Sequence, residues 1–462
     1  MNMEIKLYNT LSKKIEIFKP LKEGAVSMYS CGPTVYDRIH IGNFRAAIFS
    51  DTLKRMFEYN GYKVKHIVNI TDIGHLVSDG DDGEDKMTKA LKRENMPLTL
   101  ESMYKLATTY SEQYMDDLKN LNVELPEKFP RASDHITEDV DLIRRLETKG
   151  FTYKTSDGIY FDTKKIPSYG KLGNISVDNQ MSEARITINS EKNNPTDFVL
   201  WKFDNKIGWE SPWGKGFPGW HIECSAMSTK YLGQPFDIHT GAIDLIPIHH
   251  NNEIAQSEAA FDKKLANYWM HNEFLNIDNK KMSKSAGNYT TIQTLKNETI
   301  SPLSYRYWLL TAQYRSPIDF TYSAVRAAQN ALIRLISTLS GYPEDGAIIP
   351  AYNERFLAYI NDDLDLPKAV ALSWDLLKDD KYSDADKRAT ILDFDRIFGL
   401  NLDAVRNIEE EKIPAEVTAL AEARKEARKN KEWKKADALR KEIESRGFTV
   451  MDTEAGFGIK HL

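Results

Sequence analysis

The stretch that decides the fold covers residues 25–70 and reads AVSMYSCGPTVYDRIHIGNFRAAIFSDTLKRMFEYNGYKVKHIVNI. Residues 25–30 form a β-prone run, and the segment after them is interrupted by Gly and Pro. The apolar residues that follow have helical spacing up to Gly61, and residues 63–70 alternate as a strand does. The pattern predicts a strand–helix–strand unit, which is typical of an open parallel sheet in an α/β fold.

The bulk composition is that of an ordinary globular chain. A length of 462 residues indicates two to four domains, and 41% hydrophobic with 28% charged residues is a typical globular balance. The chain start lacks the apolar core of a signal peptide and no apolar run could span a bilayer, which predicts a cytoplasmic protein without a membrane partner. The net charge of −6 indicates no polyanion partner, but residues 421–446 carry ten Lys or Arg against six Asp or Glu.

The chain has only two cysteines, Cys31 and Cys224, which argues against a disulfide framework. Shortly after Cys224, His249 and Glu253 are four residues apart, so a helix would place both on one face. Two thiols, an imidazole and a carboxylate suit Zn²⁺. The spacing alone also fits His250 in place of His249, and it fits two cysteines that merely pack in a core.

Two further segments suggest phosphate binding. The HIGN tetrapeptide, His40 to Asn43, lies where the first strand-to-helix turn would present phosphate to a helix N-terminus. The segment DNKKMSKSAGN, residues 278–288, is a basic loop whose lysines could close over a triphosphate and stabilise departing pyrophosphate. Each segment has a simpler interpretation, as a polar turn with a capping Asn and as a solvated basic loop.

Taken in order, these motifs resemble the cysteinyl-tRNA synthetases, which belong to the class I aminoacyl-tRNA synthetases. The resemblance runs from about residue 5 to 460, and it is carried by CGPTVYDRIHIGN, NITDI, FPGWHIECSAMS, HHNNEIAQS, YWMHNEFLNIDNKKMSKSAGN and YRSPIDF. It implies ATP-dependent ligation of L-cysteine to tRNA-Cys through a cysteinyl-adenylate, with Mg²⁺ accompanying ATP. It also implies one zinc ion per chain that recognises the substrate thiol, because a thiolate binds zinc far better than the hydroxyl of serine does.

The resemblance assigns roles to individual positions. The implied zinc ligands are Cys31, Cys224, His249 and Glu253. The implied substrate-binding residues are Thr71 and Trp220, and the residues implied to bind ATP or act in catalysis are His40, Asn43, Gly241, Asp244, Lys281 and Lys284. Simpler interpretations of Trp220, Thr71 and the 241–244 turn are core packing, a strand end and an ordinary turn.

The implied architecture is a Rossmann-type parallel sheet with an inserted connective domain, a helical anticodon-binding domain and a small mixed C-terminal element. The implied boundaries are 1–95 and 201–275 for the two catalytic halves, 96–200 for the insertion, 276–310 for the Lys-Met-Ser-Lys-Ser loop and stem-contact region, 311–405 for the helical domain, and 410–462 for a basic helix with a β element. A monomer is expected. In the basic helix, packing of Trp433 is favoured over stacking on a tRNA base.

The sequence departs from the family pattern at Asn43, where a second histidine is usual. An amide can donate a hydrogen bond to phosphate but cannot become positively charged, so we expect His40 and Lys284 to take a larger share of the stabilisation. The acidic segment 75–86 resembles a calcium loop only superficially and is expected to be solvated. Two rival functions are a cysteine–amino sugar ligase of the mycothiol type and a catalytically inactive relative that binds tRNA or zinc.

Overall fold

The structure is a computed structural model that describes residues 3–73, 86–174, 190–277, 280–281, 289–403, 415–446, 448–453 and 456–461. The chain divides into two compact units, Met1–Leu402 and Asp403–Leu462. Lys284 and nearly all of the acidic segment 75–86 lie outside the described residues. Within the described ranges, no helix has both the length and the apolar character that crossing a membrane requires.

The first unit mixes strands and helices, and the described part of the second unit has two helices followed by two strands. The strands are β1 Lys6–Asn9, β2 Lys14–Ile17, β3 Ala25–Ser30, β4 Lys63–Val68, β5 Thr152–Lys154, β6 Gly158–Phe161, β7 Phe198–Phe203, β8 Gly216–Pro218, β9 Phe236–Ala242, β10 Ala266–Asn272, β11 Leu275–Ile277, β12 Lys280–Lys281, β13 Ile318–Phe320, β14 Phe448–Thr453 and β15 Gly456–His461. The α-helices are α1 Ile41–Tyr59, α2 Lys86–Arg93, α3 Leu100–Asn120, α4 Ile136–Thr148, α5 Trp220–Leu232, α6 Asn251–Phe261, α7 Ile292–Asn297, α8 Pro302–Leu310, α9 Tyr322–Ser340, α10 Pro350–Ile360, α11 Leu366–Lys378, α12 Asp384–Phe398, α13 Ala415–Lys429 and α14 Trp433–Ser445.

The central sheet of the first unit has four parallel strands in the order β10–β9–β3–β4. One half is β3–α1–β4 and the other is β9–α6–β10, so the chain order changes where β3 pairs with β9. The α/β class with a parallel sheet is therefore confirmed. Ligands of such sheets bind at the carboxyl ends of the strands beside this change of order, which places the expected site after β3 and β9.

Helix α1 packs on this sheet with the residues that the helical spacing selects. Phe44, Ile48, Leu53 and Met56 are all buried in the main hydrophobic core. The helix stops before Gly61, whose φ of 84° is a left-handed conformation that favours glycine. Its first residue, Ile41, directly follows His40, so the HIGN segment forms the start of the helix.

A second, antiparallel sheet lies between the two halves of the parallel sheet along the chain. Its order is β5–β6–β7–β8. A hydrophobic core joins this sheet to α4, α5 and α6 through residues such as Leu146, Trp201 and Ile222. The predicted domain boundaries stay predictions.

A buried arginine connects the helix α8 to the rest of the first unit. Arg306 is fully buried, and its Nη2 lies 2.5 Å from Oδ2 of Asp51 in α1. Its Nε donates to the carbonyl of Phe398 at the end of α12 at 2.5 Å, and Nη1 donates to the carbonyl of Leu121 at 3.1 Å. One guanidinium therefore ties together α1, α8, the end of α3 and the end of α12.

The second unit has its own small core. Helices α13 and α14 and the β14–β15 hairpin bury Val417, Ala421, Ile443 and Phe448. Trp433, the first residue of α14, is 57% exposed, so the prediction that it packs in a helix interface is wrong.

Candidate metal centre and nucleotide pocket

Cys31 directly follows strand β3, at the expected edge of the parallel sheet. Its backbone N–H donates to the carbonyl of Thr240 in β9 at 3.2 Å, which fixes it across the junction of the two strands. The next residue must be glycine, because a Cβ at Gly32 would lie 1.7 Å from the backbone oxygen of Asn69. The Cys-Gly pair thus turns the chain away from the sheet at the point where the two halves meet.

The four predicted metal ligands come together. Sγ of Cys31 lies 3.9 Å from Sγ of Cys224 and 3.6 Å from Oε1 of Glu253, and that oxygen lies 3.0 Å from Nε2 of His249. All four ligand atoms lie within 4.8 Å of one another. Cys224 is held by α5, Glu253 by α6 and His249 by the π-helical turn Ile246–His250 just before α6, so helix geometry places His249 beside Glu253 as the spacing predicted.

The electrostatics of this cluster favour a bound cation. A hydrogen bond from the Cys31 thiol lowers the pKa of Cys224 to about 6, although burial opposes the shift. Burial raises the pKa of Glu253, but the imidazoles of His239 and His249 outweigh this effect and hold it at about 2. A buried thiolate and a buried carboxylate therefore face the same space, where a divalent cation would compensate both charges.

A group of histidines lies behind the four ligands, and of its members only His250 was anticipated from the sequence. His221 Nδ1 lies 3.0 Å from His249 Nδ1, which fixes the orientation of the second ring. His239 Nε2 lies 2.9 Å from Oε2 of Glu253. His250 Nε2 lies 3.4 Å from Sγ of Cys31, and its Nδ1 lies 2.7 Å from Nε2 of His271. All of these rings are buried.

A second ligand set overlaps the first. Cys31 and Glu253 also lie within 4.8 Å of the ring nitrogens of His239 and His250. His250, which the spacing also allowed, thus belongs to a set with His239, whereas Cys224 is grouped with His249. The set with Cys224 offers a second sulfur ligand, and zinc sites favour such ligands.

A cavity of about 490 Å³ opens beside the metal cluster. Its lining includes Cys31, His40, Asn43, Trp220, Gly241 and Asp244. The Trp220 ring lies 4.5 Å from the ring centre of His249, so one wall of the cavity continues into the metal cluster. Six of the predicted site residues, from four separate stretches of the sequence, thus meet at one cavity.

Three other predicted residues are not among these six lining residues. Thr71 is buried and is not among the lining residues, and its hydroxyl donates to Oε2 of Glu223 at 3.4 Å. Lys281 lies in β12, but only its backbone is described, and Lys284 lies outside the described residues. Tyr289 also lines the cavity, with its ring 5.3 Å from that of His40, and the sequence analysis did not single it out.

Position 241 requires glycine, because neighbouring side chains leave no room for a Cβ. A Cβ at this position would lie 2.6 Å from Cε1 of His250 and 2.9 Å from Cδ1 of Leu245. The resemblance gave Gly241 a contact with adenosine. The structure adds that the absence of a side chain here makes room for a ring that faces Cys31.

The fold is shared with solved synthetases. A structure of Mycobacterium tuberculosis methionyl-tRNA synthetase in complex with methionyl-adenylate aligns with a TM-score of 0.54 at 15% identity, covering 81% of this chain and 90% of that one. A second structure of that enzyme, also with methionyl-adenylate, aligns with a TM-score of 0.55. The fold is therefore that of a class I aminoacyl-tRNA synthetase.

Sequence comparisons define the family more narrowly. Residues 17–330 match the model of the tRNA synthetase class I (C) catalytic domain, and residues 410–456 match the cysteinyl-tRNA ligase anticodon binding domain. The chain is 45% identical to cysteine–tRNA ligase 1 of Burkholderia lata, over 98% of this chain and 96% of that protein. It is 39% identical to the cysteine–tRNA ligase of Treponema denticola, over 98% and 99% of the two chains. The chain belongs to the cysteine–tRNA ligase family.

The second match has a consequence for the domain description. It falls within the C-terminal segment 410–462, whereas the resemblance placed the helical anticodon-binding domain at 311–405. In the structure, the matched segment contains α13, α14 and β14 of the second unit and ends at the first residue of β15.

Proposed function

We propose that this chain joins L-cysteine to tRNA-Cys in two steps, with a zinc ion that distinguishes cysteine from serine. The observation that carries the proposal is the position of Cys31. Its sulfur belongs to the cluster of Cys224, His249 and Glu253, and the same residue lines the cavity that the HIGN residues enclose. A sensor for the substrate side chain and a site for its activation therefore adjoin.

The chemistry of the donor set fits zinc. Two sulfurs, one imidazole and one carboxylate are all accepted ligands, and the low pKa values of Cys224 and Glu253 supply two anionic donors without a further proton acceptor. When bound, the zinc ion would supply a soft Lewis acid for the thiol of the amino acid. The His221–His249 contact would hold the imidazole ligand in one orientation.

In the first step, the carboxylate of cysteine attacks the α-phosphorus of Mg-ATP and pyrophosphate leaves. His40 and Asn43 line the cavity at the N-terminus of α1, where the helix dipole would favour the negatively charged phosphates. Gly241 and Asp244, at the end of β9, would contact the adenosine, with Asp244 on the ribose hydroxyls. Lys281 and Lys284 would stabilise the departing pyrophosphate.

Substrate selection would depend on residues around the metal cluster. Trp220 would form one wall of a pocket that is small enough for the cysteine side chain. Thr71 would act on the polar end of the amino acid, and its bond to Glu223 would fix the hydroxyl. Because the thiol is recognised by its affinity for the metal, no hydrolytic editing domain is expected.

In the second step, a hydroxyl of the 3′-terminal ribose of tRNA attacks the adenylate. The surplus of basic residues in α13 and α14 would supply phosphate contacts, and the exposed Trp433 offers a ring on which a base could stack. The match of residues 410–456 to an anticodon binding domain favours this function over the cysteine–amino sugar ligase.

The test compares Cys224→Ser with the wild-type protein. We expect the variant to lose most of its stoichiometric zinc and to lose at least about tenfold of its preference for cysteine over serine in ATP–pyrophosphate exchange, because an oxygen ligand replaces a thiolate. Ser228→Ala is the matched control, because Ser228 is buried one turn further along α5 and its hydroxyl donates to the carbonyl of Ser225 in the same helix at 3.3 Å.

Three results would contradict the proposal. They are a wild-type protein without bound zinc, a Cys224→Ser variant that treats cysteine and serine as the wild type does, and exchange activity with no charging of purified tRNA-Cys. The last result would favour the amino sugar ligase, and an absence of exchange would favour an inactive relative.

A further inference from the structure

A buried arginine lies just beyond the HIGN segment. Arg45 is two residues after Asn43 on α1, and only 4% of its surface is exposed. It does not line the nucleotide cavity. Burying a guanidinium is costly unless its donors are satisfied, so the partners of Arg45 indicate why it is there.

Among the described residues, the hydrogen-bond acceptors of Arg45 are backbone carbonyls, and they belong to two segments that are distant along the chain. Nη1 donates to the carbonyl of Phe274, and Nη2 donates to the carbonyls of Tyr314 at 3.2 Å and Ser316 at 2.5 Å. Phe274 immediately precedes β11, and Ser316 lies two residues before β13. One planar group thus binds the starts of two strands at once.

These two strands support the lysine-bearing segment. β11 and β13 are parallel neighbours, with Leu275 beside Ile318. β11 also pairs antiparallel with β12, in which Asn276 is opposite Lys281. Arg45 therefore links the helix that begins at the HIGN segment to the small sheet that carries Lys281.

The charge of Arg45 stays on the guanidinium. Within the described part of the chain Arg45 forms no ion pair, and the nearby Glu273 side chain accepts from the Phe274 N–H at 3.0 Å. Burial lowers the pKa of Arg45 to about 10, so the group is still protonated at neutral pH. Its hydrogen bonds to described residues all go to carbonyl oxygens, which makes the geometry of the fork more important than charge neutralisation.

We propose that Arg45 is a positioning residue for adenylation, which fixes the strands that carry Lys281 against the nucleotide-binding helix. The inference rests on the proposed function. Displacement of pyrophosphate depends on how accurately donors meet the developing charge, and misplacement by about 1 Å is enough to reduce the rate about 100-fold. Lysine keeps the charge at this position but cannot bind both strand starts with one planar fork.

The experiment measures adenylation and transfer separately in Arg45→Lys and Arg45→Gln. We expect the kcat of cysteine-dependent ATP–pyrophosphate exchange to fall about 10- to 100-fold in both variants. This kcat is expressed per active site, and the active sites are counted from the burst of adenylate formation. The KM for cysteine should stay within about twofold, because the metal cluster does not touch Arg45. The rate of transfer from preformed cysteinyl-adenylate to tRNA should be unchanged.

Arg315→Gln is the matched control. Arg315 belongs to the same 313–316 turn, but its guanidinium pairs with Asp363 at 2.6 Å instead of binding the two strand starts. We expect its loss to lower thermal stability while leaving the exchange kcat within about threefold of wild type.

Several outcomes would overturn the inference. They are wild-type exchange kcat in the Arg45 variants, an equal loss in Arg315→Gln, an equal fall in the transfer rate, or failure of both Arg45 variants to fold, which would mark Arg45 as a general structural residue. If the wild-type protein shows no exchange at all, the proposed function fails instead.

Discussion

Replacing Gly241 by alanine tests whether the His250 ring is locked in place beside the metal cluster. The added Cβ would lie 2.6 Å from Cε1 of His250, whereas ordinary contacts begin near 3.4 Å, so the ring must retreat by about 0.8 Å (3.4 − 2.6). The backbone itself tolerates alanine, because Gly241 does not have a left-handed φ. Any loss of stability therefore reports the clash.

The ring has little room to retreat. Its Nδ1 is held by Nε2 of His271 at 2.7 Å, and Nδ1 of His271 lies 2.8 Å from the hydroxyl of Thr10. On the other side, Nε2 of His250 already lies 3.4 Å from Sγ of Cys31. We therefore expect Gly241→Ala to lower the free energy of unfolding by about 1–3 kcal/mol, the usual range for overpacking a buried site, and to lower zinc content.

The assay is urea denaturation followed by far-UV circular dichroism, with metal analysis of the same samples. His250→Ala removes the clashing ring atoms, so the alanine at 241 should be much less destabilising in that background, and the double-mutant cycle isolates the contact. Gly341→Ala is the control, because its Cβ would meet backbone atoms no closer than 3.5 Å. A Gly241→Ala protein as stable as wild type, or an equal loss with and without the ring, would refute the reasoning.

Three further substitutions test other parts of the structure. Asn43→Ala should slow pre-steady-state adenylation while Asn43→His should sustain it, because an amide or imidazole can donate to phosphate and a methyl group cannot; an alanine variant as fast as wild type would contradict this. Arg306→Met should lower the free energy of unfolding by about 3 kcal/mol in urea, because it strands the carbonyls of Leu121 and Phe398; a change below about 1 kcal/mol would speak against it. Trp433→Ala should change stability by less than about 0.5 kcal/mol in thermal denaturation while weakening tRNA binding, and a large fall in melting temperature would restore the packing interpretation.

The central strand–helix–strand unit could be predicted almost to the residue. The β-prone run 25–30 is β3, the helical spacing becomes α1 at Ile41–Tyr59, and the second strand is Lys63–Val68. These elements follow from periodicities that are local in the sequence, and their burial pattern is the one that the spacing selects. Local rules were sufficient here because each element buries its apolar side against the next one along the chain.

The metal cluster was only half predictable from the residues. His249 and Glu253 are neighbours in sequence, so helix geometry alone places them together. Cys31 and Cys224 are 193 positions apart, and no spacing rule relates them. The parallel sheet brings them to 3.9 Å, since Cys31 ends β3 and Cys224 faces it from α5, and only the family resemblance anticipated this.

Single buried histidines left no usable signal in the sequence. His239 lies in a strand of buried residues and His221 lies on an almost wholly buried helix, where neither period nor neighbours distinguish a ring beside a metal from one in a core. Thr71 and Trp433 are the opposite case, because the sequence singled them out but did not give their burial. Residue type and spacing suggested a substrate contact for Thr71 and a packed ring for Trp433, but burial depends on contacts between distant segments, which leave Thr71 buried and Trp433 exposed.

The role of Gly241 also depends on contacts between segments that are distant along the chain. A glycine at the end of a strand, next to a nucleotide site, is readily assigned to close approach of the ligand. In three dimensions the space that it leaves is filled by His250, which contacts Cys31 and is anchored through His271 to Thr10 near the chain start. The nucleotide pocket and the metal cluster therefore share one packed wall, so a change that enlarges a residue on that wall should disturb thiol recognition and adenylation together.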